Sequence, residues 1–402
     1  MSNDEKAPES ARNAIADAAL QPATRLVHGG YDGKTWHGFV NPPVVHASTV
    51  LFESADAHFH NRARYTYGRQ ATPTTEALQD AVSELEGAAG TKLAPSGLGA
   101  VTLALLSCLS AGDHLLMVDT TYGPTRHFCD TLLARLGVET TYYDPHVGAG
   151  IAALMRPNTK AVFLEAPGTA TFEMQDIPAI VAVARAHGAT VLMDNTWATP
   201  LYFKPLAFGV DLSIQAATKY FCGHSDVLLG TVAASERALP ALAATHRQLG
   251  LHTAPDDVYQ IYRGLKTLEV RLARHHVNGV AVAEWLLSRP EVTRVRHPAL
   301  PSDPGHALWK RDFSGASGLF AFDLAPVSET ALAAFFDTLT LFGMGYSWGG
   351  YESLAIRARP DLARTAVPWT EAGPVVRLHI GLEDPRDLTA DLARGFAAMA
   401  AA

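Results

Sequence analysis

The chain has 402 residues, 48% of them hydrophobic and 18% charged, enough apolar material for two domains with buried cores and too much for wholesale disorder. Acidic side chains outnumber basic ones, 40 to 32, for a net charge of -8. That sign argues against a nucleic-acid partner or a seat on an anionic membrane.

Residues 1 to about 24 are polar and alanine-rich and read as a tail. They open acidic, without the basic-then-apolar order of a secretory signal. Residues 25–69 (LVHGGYDG, NPPVVHAST, RYTYGR) lack periodicity and read as an extended arm. Helical spacing begins at Thr74, with Leu78, Val82 and Leu85 on one face and Gly87 as a stop. β-rich runs then alternate with helical ones: strands over 114–118, 140–143, 161–165, 190–194, 212–215 and 227–232, and helices over 99–110, 124–136 and 177–187. Such alternation predicts a mostly parallel sheet between helices. A helical pattern from Asp257 to Pro290 carries the chain onward, and the remainder (FSGASGLFAFDL, a helix near 328–339, VVRLHIGL, a final helix) reads as a smaller α+β unit. The expected organisation is a tail and arm over 1–69, an α/β domain over 70–265 and a small domain over 266–402.

Cys108, Cys129 and Cys222 lie far apart without CxxC spacing, so neither a disulfide framework nor a thiolate metal site is expected, and a cytoplasmic setting is. The 17 histidines offer no convincing metal-ligand spacing; adjacent His275 and His276 on a helix cannot share a face. No apolar run reaches the roughly 18 residues that span a bilayer.

Eight of the 32 basic residues are lysine. Ligands of parallel α/β sheets bind beyond the carboxyl ends of strands. Lys92 and Lys160 precede apolar runs, Lys6 lies in the tail, Lys34 in the arm, Lys204 before a proline, Lys266 on a charged helix and Lys310 in a loop. Lys219 instead follows VDLSIQAAT, at a carboxyl end, with GHSD just after. An ordinary lysine capping a strand would look the same. Asp194 ends GATVLMD; an isolated Asp there usually caps a helix, yet the following NTWATP does not open one cleanly. APSGLGAVTLALL places Ser96, Gly97, Leu98 and Gly99 ahead of an apolar helix, either a plain turn or a cradle of backbone N–H groups for a phosphate. Together, in this order, they fit a pyridoxal phosphate site, where a lysine forms a Schiff base and an acid faces the pyridine nitrogen. A nicotinamide enzyme would need GxGxxG, which SGLGAV does not complete.

The stretches YGR (67–69), ELEG (84–87), GDHLLMVDTTY (112–122), FLEAPG (163–168), MDNTWA (193–198), SIQAATKYFCGHSD (213–226), HPALP (297–301), YSWGGYES (346–353) and RLHIGLED (377–384) resemble the Cys/Met metabolism class of pyridoxal phosphate enzymes. These have the aspartate aminotransferase-like fold, fold type I, and the likeness is greatest to the bacterial cystathionine β-lyase branch. The resemblance implies a Schiff base on Lys219, which then moves protons; Asp194 on the pyridine nitrogen; and Tyr122 stacked on the ring, a second catalytic residue that aids Lys219 in protonating the departing sulfur. The N–H groups of Gly97 and Leu98 and the hydroxyl of Thr218 would hold the phosphate. Tyr67 and Arg69 would reach the cofactor of a neighbouring subunit, in a tetramer built from dimers. Arg377 would clamp the substrate carboxylate, with Ser347, Trp348 and Tyr67 along the substrate. The implied reaction is β-elimination of L-cystathionine. A lyase for other cysteine S-conjugates or cysteine itself, a methionine γ-lyase, and a non-catalytic regulator on the same fold stay open. Ala216 stands where many relatives carry a phosphate-binding serine, and His127 stands near a position where an acidic residue is expected to meet the distal amino group.

Overall fold

In the computed structural model, which describes residues 20–402, the first seven strands are β1 (Gly90–Ala94), β2 (His114–Val118), β3 (Glu139–Tyr143), β4 (Thr159–Glu165), β5 (Thr190–Asp194), β6 (Leu212–Gln215) and β7 (Gly230–Ala234). They form one sheet in the order β1-β7-β6-β5-β4-β2-β3. Only β7 runs against its neighbours, so the carboxyl ends of β2, β4, β5 and β6 share one edge. The central strands β2, β4, β5 and β6 are buried on both faces, as helix-covered parallel strands must be, while the edge strand β3 is partly exposed. Ile177, Ile180 and Val181 pack on one face with Val162, Val191 and Met193. Ala100, Leu103 and Ala104 pack on the other with Phe163, Leu192 and Ile214.

Four further strands, β8 (Val292–Arg296), β9 (Leu319–Leu324), β10 (Leu354–Ala358) and β11 (Val375–His379), form an antiparallel sheet in the order β10-β11-β9-β8. The helices Glu329–Thr338 and Pro385–Ala401 cover one face, with Leu332, Phe335, Leu388 and Phe396 packed on Phe320, Val376, Leu378 and Ile380. Val376 and Leu378 point into that core, so Arg377 and His379 face the large sheet, as the alternation predicts. A buried carboxylate joins the two parts: Asp119, just beyond β2, accepts the N–H groups of Thr365, Ala366 and Val367, each at 3.0 Å at its nearer oxygen.

Several local expectations are corrected. The helix expected over 124–136 is present over 123–135, with a wider π-turn, Cys129–Leu133, inside it. The strand expected over 227–232 is β7, because Thr218 engages the backbone of Leu229 on both sides and holds that stretch out of the ladder. The pattern from 257 to 290 is two helices, Pro255–Leu265 and Leu268–Leu287, broken at Lys266. The Lys266 amine leaves the helix surface to donate to the carbonyls of Leu26 and Gly29, both at 3.0 Å. Those carbonyls lie at the end of a helix, Pro22–His28, and on its C-cap Gly29, where an extended arm was expected; Leu26 is buried against Leu78 and Val82. Lys310 lies in a helix, His306–Asp312, rather than a loop. The expected tail lies mostly in residues 1–19, outside the described residues.

Candidate active site

Lys219 lies on a tight turn after β6. Its N–H donates to Ala216 O at 2.9 Å, and its carbonyl accepts from Gly223 at 2.8 Å. The buried Arg271 secures the next turn, donating to the carbonyls of Tyr220 and Gly264 at 2.8 Å each. With its backbone so held, the Lys219 amine reaches Ser347 and donates to Oγ at 2.5 Å. The Trp348 ring centroid is 5.4 Å from the same nitrogen. Burial lowers the amine to about 8, helped by the positive Arg377 and opposed by Asp194. Roughly one-tenth is therefore the free base at pH 7, where an ordinary lysine has only a trace.

Asp194 closes β5 beside Lys219. Its Oδ1 accepts from the Thr196 N–H at 3.0 Å and the Thr196 hydroxyl at 2.6 Å. That hydroxyl in turn accepts the Ala216 N–H at 2.8 Å, which ties the acid to the strand carrying the lysine. Oδ2 has no hydrogen-bond partner among the described residues. On the adjacent strand, Glu165 is in register with Asp194. It accepts the Tyr122 N–H at 2.8 Å, with the Thr169 and Thr121 hydroxyls also donating to it. Burial and the nearby Asp194 push the Glu165 carboxyl up to about 8, and burial raises Asp194 too, so the pair does not carry two full negative charges at neutral pH.

Tyr122 is 46% exposed over this floor. Burial of its ring edge and the neighbouring Asp194 raise the phenol, so it is neutral across the physiological range. Ser96 caps the helix Gly97–Cys108 by accepting the Gly99 N–H at 3.0 Å. The N–H groups of Gly97 and Leu98 precede the first intrahelical acceptor and remain available. A Cβ on Gly97 would stand 2.5 Å from the Ala216 Cβ, so that cradle admits glycine alone. The alanine that departs from the family pattern is thus the wall of the cradle.

Arg377 donates from Nη2 to Ser347 O at 3.0 Å, and burial lowers it to about 10; it is still charged at neutral pH. Other expected residues are engaged elsewhere. The Thr218 hydroxyl lies 3.3 Å from Leu229 O and 3.0 Å from Leu229 N; a phosphate contact requires it to turn from that carbonyl. Tyr67 pairs with Thr49 in an isolated bridge, and Arg69 donates to Arg247 O at 3.3 Å; neither bonds to the Lys219 cluster within this chain. His127 is exposed on its short helix. Sequence reasoning passed over Glu165, Thr196 and Arg271, and took His379 no further than the face of the strand it shares with Arg377. For Glu165 a signal existed, an acid ending an apolar strand run next to the run that ends in Asp194.

A buried amine bonded to a hydroxyl rather than a carboxylate, a carboxylate with one open oxygen, a polar aromatic face and free helix-terminal N–H groups fit pyridoxal phosphate, which has an aldehyde, a basic ring nitrogen and a dianionic end.

Comparison with known proteins agrees with this geometry. A family model described as Cys/Met metabolism PLP-dependent enzyme matches residues 23–397. A chain from Rhizobium johnstonii, provisionally named cystathionine beta-lyase, is 58% identical over 392 residues, covering 96% of this chain and 99% of the relative. The cystathionine beta-lyase of Escherichia coli K12 is 47% identical over 394 residues, covering 95% of this chain and 99% of that one. A solved structure, the cystathionine gamma synthase of Xanthomonas oryzae pv. oryzae in complex with aminoacrylate and cysteine, superposes with a TM-score of 0.88 at 35% identity, covering 96% of this chain and all of that one (100%). With the lysine, the acid and the helix-terminal cradle on one sheet edge, and with matches of this extent, the chain belongs to the Cys/Met metabolism family of PLP-dependent enzymes, fold type I.

Proposed function

We propose that the protein is a PLP-dependent carbon–sulfur lyase that cleaves L-cystathionine by β-elimination, releasing homocysteine, pyruvate and ammonia, in methionine biosynthesis. The observation that carries this reading is the Lys219 amine, buried, lowered to about 8 and bonded to Ser347 beside Trp348. When bound through Lys219, pyridoxal phosphate supplies an electron sink for the charge left at the substrate Cα. Lys219 removes the Cα proton and returns a proton to the departing sulfur; an amine near 8 can do both near neutral pH. Asp194 holds the pyridine nitrogen through its open Oδ2. Gly97, Leu98 and Thr218 hold the phosphate, and Tyr122 lies on the ring face. Arg377 takes the substrate α-carboxylate with the part of its guanidinium that Ser347 O leaves free. Ser347 and Trp348 line the substrate.

Tyr67 and Arg69, turned away from their own cluster, complete the site of a neighbouring subunit in a cytoplasmic homotetramer. The names of the relatives support the β-lyase reading over its sisters. The test is product identification with the cofactor-loaded protein: pyruvate from L-cystathionine supports it, 2-oxobutyrate redirects it to γ-elimination, and turnover of cysteine or its other S-conjugates alone moves the substrate.

A further inference from the structure

We propose that His379 is a positioning residue: its buried imidazole clamps the turn 347–350 from below and so sets the Ser347 hydroxyl and the Trp348 ring against Lys219. Arg377 and His379 are same-face neighbours on β11 and grip the two ends of that turn. Arg377 holds Ser347 O at 3.0 Å. His379 Nε2 lies 3.1 Å from Gly349 N and 3.0 Å from Gly350 O. Whichever ring nitrogen carries the proton, Nε2 bonds to this turn: it accepts from Gly349 in one tautomer and donates to Gly350 O in the other. The ring is fully buried, and burial with His275, Arg377 and Lys219 nearby keeps it well below the usual imidazole range. It is a neutral prop at neutral pH.

The turn needs such a prop. Ser347 has a left-handed backbone, φ 81°, a conformation that residues with a Cβ rarely adopt. Gly349 follows at φ 86°, and a Cβ there would stand 2.9 Å from the Lys219 carbonyl carbon and the Tyr220 nitrogen. The turn is thus pressed between the Lys219 backbone above and the His379 ring below. Tyr220 packs on both Trp348 and His379, at centroid distances of 5.5 and 5.9 Å. Loss of the Nε2 bond frees the turn to relax, and the hydroxyl that receives the Lys219 hydrogen bond moves with it.

The inference rests on the lyase reading for its kinetic arm, and a spectroscopic arm is independent of substrate. Two holoenzyme variants separate hydrogen bonding from packing. His379→Gln reaches the Nε2 position with an amide that can accept or donate; His379→Phe keeps ring volume and loses the bond. The expected result is that Gln stays within about threefold of wild type in kcat for L-cystathionine, while Phe loses about tenfold or more with little change in KM, as when a hydrogen bond acting through a catalytic group is removed. In the Phe variant, the pH at which the visible absorbance of the bound cofactor changes is displaced, because the Ser347–Lys219 bond no longer biases the lysine nitrogen; in the Gln variant it is not. Equal behaviour of Phe and wild type in both readouts overturns the proposal, as does a folded, cofactor-loaded Gln variant as impaired as Phe. If Phe does not fold, a loss of more than about tenfold in the folded Gln variant overturns it and near-wild-type behaviour supports it. Failure of all forms, wild type included, to turn over cystathionine refutes the functional reading and leaves the absorbance comparison to judge the clamp.

Discussion

Glu165 and Asp194 stand side by side in register across two parallel strands, and they divide the labour that one carboxylate cannot do alone. Asp194 keeps an oxygen open to the site, while Glu165 turns its oxygens to the Tyr122 N–H and the Thr121 and Thr169 hydroxyls. Burial and Asp194 push Glu165 up to about 8, so its negative charge does not compete with that of Asp194 below that pH. Glu165→Gln is expected to retain the Tyr122 bond and near-wild-type kcat/KM at pH 7. Glu165→Leu leaves the Tyr122 N–H without its acceptor, at about 1–3 kcal/mol, with weaker retention of cofactor on dialysis. Parallel assays of the two variants at pH 7 check the pair; a Gln variant as damaged as the Leu variant counts against a neutral Glu165.

Lys219→Ala is expected to remove the visible absorbance of the loaded enzyme and lower kcat by about 10³-fold or more, since it deletes both the covalent anchor and the group that moves the proton. Its melting temperature in the cofactor-free state should not fall, because the change removes a buried amine that burial already penalises. A spectrum and a thermal melt measure both.

Arg377→Lys keeps the charge and loses the planar fork. Arg377 spends one arm on Ser347 O at 3.0 Å, and a lysine cannot hold that carbonyl and a carboxylate in the same geometry. KM for the amino-acid substrate is expected to rise about 10–100-fold, the value of one charged hydrogen bond, with a smaller effect on kcat. Steady-state kinetics decide it, and an unchanged KM rules out the carboxylate role.

Gly97→Ala tests the phosphate cradle. The added methyl meets the Ala216 Cβ at 2.5 Å, which forces the helix start outward and spoils the convergence of the first N–H groups. The expected outcome is weaker cofactor affinity in a fluorescence titration with an unchanged fold by circular dichroism.

Glu86 is fully buried at the end of the helix Pro73–Glu86, where it accepts from the Ser213 hydroxyl at 2.9 Å and the Gln215 amide at 3.3 Å. Burial pushes it from the usual 4.5 up to about 7, against those two hydrogen bonds. The folded state therefore binds a proton more tightly than the unfolded chain, and its stability falls as pH rises from 4.5 to 7. Glu86→Gln should flatten that slope and be the more stable form at pH 8, by an amount on the order of 2 kcal/mol. Urea unfolding at pH 5 and pH 8 gives the comparison; equal slopes for both proteins refute it.

The sequence by itself determined the strand-end chemistry. Asp194 closes, and Lys219 shortly follows, runs whose apolar character already marks them as strands, the Ser-Gly-Leu-Gly start of the helix Gly97–Cys108 is local, and the alternation in VVRLHI already put Arg377 and His379 on one face. Such features are written in neighbouring residues and their periodicity. Other relationships depend on packing between distant segments. The Ser347 hydroxyl meets a lysine 128 residues away because a small-domain turn presses on the turn after β6. Glu165 meets Asp194 because β4 and β5 are neighbours in the sheet. Thr218 turns to Leu229, and Lys266 breaks a helix to reach the Leu26 and Gly29 carbonyls, because buried polar groups find partners wherever the fold brings them. The signal that singles out Lys219 is thus local, whereas its lowered basicity and its orientation are properties of the assembled fold.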